Sequence, residues 1–233
     1  MNKEEWFLWQ DEEHSAAENM AIDEALMELA MDLPGPLLRL YEWQEEAVSF
    51  GYTQKFDRVP QGIKDLVRRP TGGGIVYHKH HFTYTVILPP NHWIVKDTKP
   101  VESYAWLNRC VQNALKVFSL DSSLAEQEIP RSVDRAGMVC FVTPTRYDLL
   151  LEDKKIAGSA QRRTKLGMLH QGSIECEGYD FLNAKSLREA LPKGFEKVIP
   201  CNFIAYSPMT LIEGRVIELQ EEKYNNKVWN QKR

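Results

Sequence analysis

Three consecutive glycines, Gly72 to Gly74, stand between two runs of strand-forming residues and constrain the fold more than any other feature. Glycine loses more conformational entropy on folding than other residues, so a run of three indicates a turn or a close approach that side chains would block. Arg68 and Arg69 precede the run. The segment is either a hairpin turn with surface arginines or a loop whose N–H and guanidinium groups hold an anion. No Gly-Lys-Ser/Thr follows, which excludes a Walker A loop.

Composition and charge argue against nucleic-acid-binding, membrane-spanning and exported proteins. The chain has 233 residues, 43% of them hydrophobic, which is enough to build a core. Its formal net charge of −4 argues against a general nucleic-acid-binding protein. No apolar run approaches the roughly 20 residues that a membrane-spanning helix needs, and acidic residues near the start argue against an export signal. We expect one cytoplasmic domain over residues 1–233, with neither nucleic acid nor membrane as a partner.

Helices are predicted from capping signals and apolar spacing. Ser15 and Glu18 match the capping-box pattern ahead of an apolar stripe at helical spacing, so a helix begins there and ends before Pro34. Two more helices are predicted at Ser103–Phe118 and Asn183–Leu191. Ser207-Pro208 is typical of the start of a terminal helix.

Short aromatic or β-branched runs between turn residues predict the strands. They are Leu37–Trp43, Ala47–Tyr52, Leu66–Arg69, Ile75–Tyr77, Phe82–Leu88 and Met168–Cys176, with a hairpin of Tyr147–Leu151 and Lys155–Gln161 across Glu152-Asp153. Helices and strands do not alternate as in a βαβ fold, so the arrangement predicts an α+β protein.

Two further segments carry side chains suited to chemistry. In Lys154 to Gln161, small residues follow a lysine pair, and one ammonium group there would stabilise charge that develops in acyl transfer. The alternative is a solvated lysine pair, and strand alternation allows only one of the two lysines to face a pocket. His170-Gln171 beside Gly172 is either a binding segment or a structural pair.

Cysteine and histidine spacing argues against metal sites and disulfides. The four cysteines are widely spaced, with no Cys-x-x-Cys pair. His78, His80 and His81 lie close together, but strand alternation places His81 on the opposite face from the other two. We therefore predict no metal site.

Taken together, these segments resemble the lipoate-protein ligase and octanoyltransferase superfamily, whose catalytic domain is shared with biotin protein ligases. The matching segments stand in the family's order: Asn19–Ala25, Leu38–Trp43, Ala47–Gln54, Arg68–His78, Lys155–Gln161 and His170–Ile174. The resemblance implies an α+β catalytic domain with a mixed β-sheet, of the class II aminoacyl-tRNA synthetase or biotin-lipoate ligase type. It also implies a tunnel for a medium-length acyl chain. Only 57 residues follow Cys176, and the catalytic core should use most of them, so we expect no C-terminal accessory domain.

By the same resemblance, the reaction transfers a lipoyl or octanoyl group to one lysine of a lipoyl carrier protein. The carrier is the glycine-cleavage H protein or the lipoyl domain of a 2-oxoacid dehydrogenase. Lys155 would contact the activated acyl carbonyl. The residues that would border the acyl or adenylate group are Arg69, Thr71, Gly72, Gly73, Gly74, His78, Gly158, Ala160, His170 and Gly172.

Two chemistries exist in this superfamily, and the sequence favours one. Cys140 stands in a Cys-Phe-x-x-Pro context, where one transferase class carries its nucleophile, so Cys140 and Lys155 are the predicted catalytic residues. The donor would be octanoyl-acyl carrier protein, and no cofactor would be needed. His170-Gln171 and Gly74 are closer to the ligase pattern, which keeps ATP- and Mg²⁺-dependent lipoate activation as an alternative. A buried structural role for Cys140 and a non-catalytic acyl- or carrier-binding module also stay open.

Overall fold

An acid-rich strand that the sequence analysis did not predict, β1 (Glu4–His14), lies near one edge of the main sheet. The structure, a computed structural model, describes residues 3–60, 62–128, 133–134 and 137–232. β1 runs parallel to β2 (Leu37–Trp43) and to β11 (Cys201–Ala205), another strand that was not predicted. Both were missed because their partners are distant in sequence. In β1, moreover, the many acidic residues around the buried Trp6 and Trp9 hide the apolar pattern of a strand.

The main sheet has eight strands in the order β11-β1-β2-β6-β10-β9-β8-β7 among the described residues. The remaining strands are β6 (His81–Leu88), β7 (Ser123–Leu124), β8 (Leu149–Leu151), β9 (Lys154–Arg163) and β10 (Met168–Glu175). β2, β6, β10 and β9 pair antiparallel in turn, whereas β1 pairs parallel on both sides. The sheet is therefore mixed, which confirms the predicted α+β class.

A second, three-stranded sheet carries the glycine run. Its order is β4-β3-β5, formed by β4 (Asp65–Arg68), β3 (Ala47–Phe50) and β5 (Val76–Tyr77). β3 lies between the two strands that the glycines connect, so the glycine segment is not a hairpin turn. That alternative from the sequence was wrong, since the segment crosses over β3 as a loop.

Helices cover both faces of the main sheet. On one face α1 (Ala16–Glu28) packs with α5 (Met209–Leu219), and on the other α3 (Pro100–Leu115) packs with α4 (Ala184–Val198). The short helices are α2 (Trp93–Lys96) and α6 (Lys227–Asn230). No helix among the described residues is both long and apolar enough to cross a membrane.

The first helix and the hairpin form as predicted. Ser15 accepts a hydrogen bond from the Glu18 N–H at 3.3 Å, while the Glu18 carboxylate pairs with His14 rather than completing a capping box. Glu152 and Asp153 both have positive φ, at 48° and 64°, as a two-residue hairpin turn of type I′ requires.

Three helix boundaries differ from the prediction. α3 begins at Pro100, because proline suits the first helical position and the Glu102 carboxylate accepts from the Lys99 N–H at 3.0 Å. α4 continues through Pro192 to Val198. Its Gly194 lets the two helices pack closely, since a Cβ there would lie 2.3 Å from the Cys110 carbonyl oxygen. α5 begins after Pro208 rather than directly after Ser207.

Candidate active site

The loop that carries Cys140 packs directly on the glycine segment. The Ile75 N–H donates to the Met138 carbonyl at 2.8 Å, and the Cys140 N–H donates to the Ile75 carbonyl at 2.8 Å. A Cβ on Gly74 would lie 2.4 Å from the Met138 carbonyl oxygen. Gly74 is therefore required for this contact, which places the Cys140 thiol beside the second sheet.

Lys155, at the start of β9, extends its ammonium group to Cys140. Its Nζ lies 3.4 Å from the Cys140 Sγ and 2.9 Å from the Cys140 carbonyl oxygen. A third contact, at 2.7 Å, joins Nζ to the Asp148 carboxylate. Lys154 is exposed, so only one lysine of the pair faces the site, as strand alternation predicted. The three contacts account for the three N–H donors of the ammonium group.

Asp148 is a site residue that the sequence analysis missed. Its carboxylate is buried and accepts from the Thr145 N–H at 2.7 Å and the Thr145 hydroxyl at 2.9 Å. Burial acts to lower the pKa of Lys155, but the charges of Cys140 and Asp148 outweigh burial and raise that pKa above its ordinary value. Lys155 is therefore a fixed cation next to a sulfur atom, an environment that favours a reactive thiolate.

Gly158 provides the space that the lysine side chain occupies. A Cβ at Gly158 would lie 2.2 Å from the Lys155 Cε and 2.5 Å from its Nζ. Gly73 has a φ of +88°, and a Cβ there would lie 3.7 Å from the Ala160 side chain. The two glycine-containing segments, far apart in sequence, thus face each other across the site.

The arginines before the glycine run do not form the open anion fork that the sequence suggested. Arg69 is buried and donates to the Ser49 hydroxyl at 2.8 Å and to the Gly72 and Gly74 carbonyls at 2.9 and 2.8 Å. Burial lowers the pKa of Arg69, although the charges of Cys140 and Tyr41 act to raise it. Arg69 therefore holds the glycine loop in shape by donating to the carbonyl oxygens of that loop.

Arg68 is occupied by the C-terminal segment. Its guanidinium donates to the carbonyl oxygens of Trp229 at 3.1 Å and Asn230 at 3.2 Å, and at 2.7 Å to that of Gln54. The Trp229 indole N–H returns a hydrogen bond to the Arg68 carbonyl at 3.0 Å. The role suggested for Arg68 as an anion ligand was therefore wrong, because backbone carbonyls take its donors.

A buried polar chain links the glycine loop to α1. The Thr71 hydroxyl donates to the Gln171 side-chain oxygen at 2.6 Å, and the Gln171 amide donates to Asp23 at 2.7 Å. Arg39 and Tyr41 also donate to the Asp23 carboxylate, at 2.7 and 3.1 Å. Sequence reasoning named Gln171 only as part of a possible binding segment and missed Asp23, although both lie within the quoted family segments.

The two predicted binding histidines lie in different surroundings. His78 stacks on Trp43 with ring centroids 3.8 Å apart, and its Nε2 lies 2.7 Å from the Ser49 hydroxyl. Burial, with the charges of His81 and Arg69, holds the pKa of His78 well below its ordinary range. His78 is therefore a neutral wall residue.

His170 points toward α3. It lies between Tyr84 and Tyr104 and contacts the Gln161 amide at 2.9 Å. Burial lowers its pKa to about 3. Gly172, two residues along the strand, makes room for Tyr84, because a Cβ there would lie 2.2 Å from the tyrosine ring.

A narrow cavity of about 30 Å³ lies between these elements. Its volume is smaller than that of typical small-molecule sites. Its wall is formed by Met20, Tyr41, Trp43, Ser49, Arg69, Val76, His78, Thr83, Cys140, Phe141, Gly158, Ser159, Ala160, Gln171, Gly172 and Ser173. Within the described ranges, no group of three or more His, Cys, Asp and Glu residues is placed to hold a metal ion.

Comparison with known proteins matches this architecture to one family. The family model for the lipoyl protein ligase A/B catalytic domain matches residues 15–223. The octanoyltransferase LipM of Halalkalibacterium halodurans is 32% identical over 229 residues, covering 90% of this chain and 83% of that protein. The LipM octanoyltransferase of Bacillus subtilis is 32% identical over 235 residues, covering 92% and 84%.

Solved structures share the fold. Protein Ta0514 of T. acidophilum, solved with bound lipoic acid, superposes with a TM-score of 0.80 at 23% identity and covers 97% of this chain and 98% of that one. Lipoate-protein ligase A bound with ATP has a TM-score of 0.76 at 22% identity, with coverage of 97% and 98%. These likenesses confirm the predicted ligase-like fold.

Proposed function

The chain belongs to the lipoyl protein ligase A/B catalytic domain family, and from this premise we propose that it is an octanoyltransferase acting through a Cys140 thioester. The substrate that receives the acyl group is a lysine of a lipoyl carrier protein. Relatives at 32% identity over most of the chain are named octanoyltransferases, so the protein is an acyltransferase enzyme. The alternative of a non-catalytic binding module is set aside.

The observation that carries the proposal is the contact between Lys155 and Cys140. A buried ammonium nitrogen 3.4 Å from a sulfur stabilises the thiolate, which is the nucleophilic form of cysteine. Asp148, at 2.7 Å, holds the ammonium in place. Burial and neighbouring carboxylates raise the pKa of the other partly exposed thiol, Cys176, to about 11, which leaves it poorly reactive.

In the first step the Cys140 thiolate attacks the carbonyl carbon of an octanoyl thioester carried by acyl carrier protein. The carbon–oxygen double bond opens to an oxyanion. This intermediate then collapses and expels the donor thiolate. The thiolate takes up a proton from solvent. The sulfur loses its negative charge in this step, so the Lys155 N–H that faced it turns to the oxyanion. The result is an octanoyl-enzyme.

In the second step the neutral amine of the acceptor lysine attacks the octanoyl-enzyme carbonyl. The carbon–sulfur bond breaks and the Cys140 thiolate departs. The amine nitrogen releases a proton to solvent, and an amide is formed. Lys155 again stabilises the departing Cys140 thiolate. No ATP is consumed, because the thioester donor is already activated.

The remaining predicted residues shape the acyl site. Arg69, His78, Gly158, Ala160 and Gly172 line the cavity, and Thr71, Gly72, Gly73 and Gly74 continue the loop that follows Arg69. His170 acts from the other face of the sheet, where it positions β10 through Gln161. A cytoplasmic location, where thiols are kept reduced, suits a cysteine nucleophile, and we propose that location.

The test is intact mass spectrometry of the protein after incubation with octanoyl-acyl carrier protein, with and without ATP. We expect one octanoyl adduct that is independent of ATP and absent from Cys140→Ala. Addition of H protein or a lipoyl domain should then remove the adduct and octanoylate the carrier. ATP-dependent lipoylation from free lipoate that survives Cys140→Ala would instead establish the ligase alternative.

A further inference from the structure

Phe141, the residue after the proposed nucleophile, lies where three hollows of the molecule meet. It lines the narrow cavity beside Cys140. It also lines a groove of about 610 Å³ that includes Lys155, called here the lysine groove, and one of about 350 Å³ that includes His81, called here the histidine groove. Among the described residues that line these hollows, only Phe141 borders all three. Phe141 therefore stands at the boundary between the cavity and both grooves.

Two contacts hold the Phe141 ring in this position. The centroid of the His81 ring lies 4.3 Å from that of Phe141, and the Lys155 ammonium nitrogen lies over the Phe141 ring at 5.2 Å from its centroid. His81 is itself held by the Glu175 carboxylate, which lies 3.0 Å from its Nε2. Ring packing and the attraction between a cation and an aromatic face therefore keep the Phe141 ring beside the reacting pair, Cys140 and Lys155.

Both grooves have room for water. A water molecule needs a site of roughly 10–15 Å³, far less than either groove offers. Val142, the residue after Phe141, is 77% exposed, so the chain reaches the surface one residue beyond the ring. Solvent in the grooves therefore comes up to Phe141 from outside, while an acyl group on Cys140 would lie on the cavity side of the same residue.

An octanoyl-enzyme is open to a competing reaction with water. A water oxygen attacks the thioester carbonyl carbon, and the carbon–sulfur bond breaks. Octanoate leaves, Cys140 returns as the thiolate, and the two protons of the water pass to solvent. This reaction consumes the acyl group before an acceptor lysine reaches it, and excluding water from a site prevents such hydrolysis of a reactive intermediate.

We propose that the Phe141 ring, braced by His81 and Lys155, shields the octanoyl-enzyme from water, so that the acceptor amine receives the acyl group. This inference rests on the proposed function and adds the residue that determines the choice between the two nucleophiles. Phe141→Ala removes the ring and joins the cavity to both grooves. Phe141→Leu keeps an apolar side chain at the same boundary.

The experiment forms the octanoyl-enzyme with octanoyl-acyl carrier protein, removes the donor by gel filtration, and follows loss of the adduct by intact mass without an acceptor. Phe141→Ala should lose its adduct roughly tenfold faster than wild type, whereas Phe141→Leu should stay within about threefold of wild type. Water labelled with oxygen-18 should place the label in the released octanoate. With a lipoyl domain present, Phe141→Ala should divert a larger share of the acyl groups to octanoate.

Val142→Ala is the matched control, since Val142 borders the lysine groove but not the cavity. Its adduct should last as long as that of wild type. A merely structural role of Phe141 would slow adduct formation in Phe141→Ala without shortening the lifetime of the adduct, and that result would overturn the inference alone.

A second variant covers the case in which Phe141→Ala fails to fold. His81→Ala removes the side chain that braces the ring, so it should also shorten the lifetime of the adduct. A wild-type lifetime in His81→Ala, with Phe141→Ala unfolded, would equally overturn the inference. Failure of the wild type to form any adduct would overturn the proposed function instead.

Discussion

The ammonium nitrogen of Lys155 lies 3.4 Å from the sulfur of Cys140, although the two residues belong to different segments. The lysine is at the start of a strand, and the cysteine is on a loop packed against the glycine segment. Lys155→Met removes the cation and should slow alkylation of Cys140 by iodoacetamide roughly tenfold at neutral pH, because no positive charge then faces the sulfur.

Peptide mapping after timed alkylation measures the rate at Cys140 itself. Lys154→Met is the control, since that side chain is the exposed neighbour on the same strand. Equal rates in wild type and Lys155→Met would show that the lysine does not activate the thiol.

Asp148 is expected to matter for both stability and activity. Asp148→Asn leaves the buried Lys155 cation without its carboxylate partner, and breaking a buried ion pair costs about 3–5 kcal/mol. Urea unfolding should show a loss of this order, and acyl-enzyme formation should slow. Asp153→Asn, an exposed change in the turn of the same hairpin, should leave both quantities near wild type. An Asp148→Asn enzyme with normal kinetics would contradict this role.

Gly158 is expected to tolerate no side chain. Gly158→Ala places a methyl group where the Lys155 side chain lies, so the ammonium must move away from Cys140 and octanoyl-adduct formation should be lost. Gly214→Ala is the matched change on α5, where no atom lies within 4 Å of the added Cβ. It should retain activity and raise the free energy of unfolding by roughly 0.5–1 kcal/mol through helix propensity. Full activity in Gly158→Ala would refute the close packing.

The buried His170 is expected to make the free energy of unfolding fall at acidic pH. Its pKa falls from 6.5 to about 3 on burial, so below pH 6.5 the unfolded chain binds a proton that the folded chain does not. Stability from this residue is therefore present above pH 6.5 and declines on acidification toward pH 3, by up to about 1.4 kcal/mol per pH unit.

Urea unfolding of His170→Asn from pH 7 to pH 5 measures this contribution. The variant should lose stability less steeply than wild type, because asparagine keeps an acceptor for Gln161 but does not titrate. His80→Asn, at an exposed position, should follow the wild-type slope. Identical slopes for His170→Asn and wild type would show that His170 does not remain neutral in the fold.

Local patterns were sufficient to predict much of the fold. The capping residue Ser15, the apolar stripe of α1 and the turn at Glu152-Asp153 all depend on interactions between near neighbours. Cys140 and Lys155 were named from their short motifs. The parallel strands β1 and β11 were missed, because their partners lie far along the chain and their own sequences are mixed in polarity.

The amino-acid sequence by itself determined which side chains and which glycines this protein has for acyl chemistry, since short motifs and strand periodicity are local properties. Only the tertiary structure decided their use. It turned Arg68 toward the C-terminal carbonyls, faced Gln171 rather than His170 into the cavity, and brought Asp148 to Lys155. These outcomes depend on strand register and on packing between distant segments, which no local pattern contains.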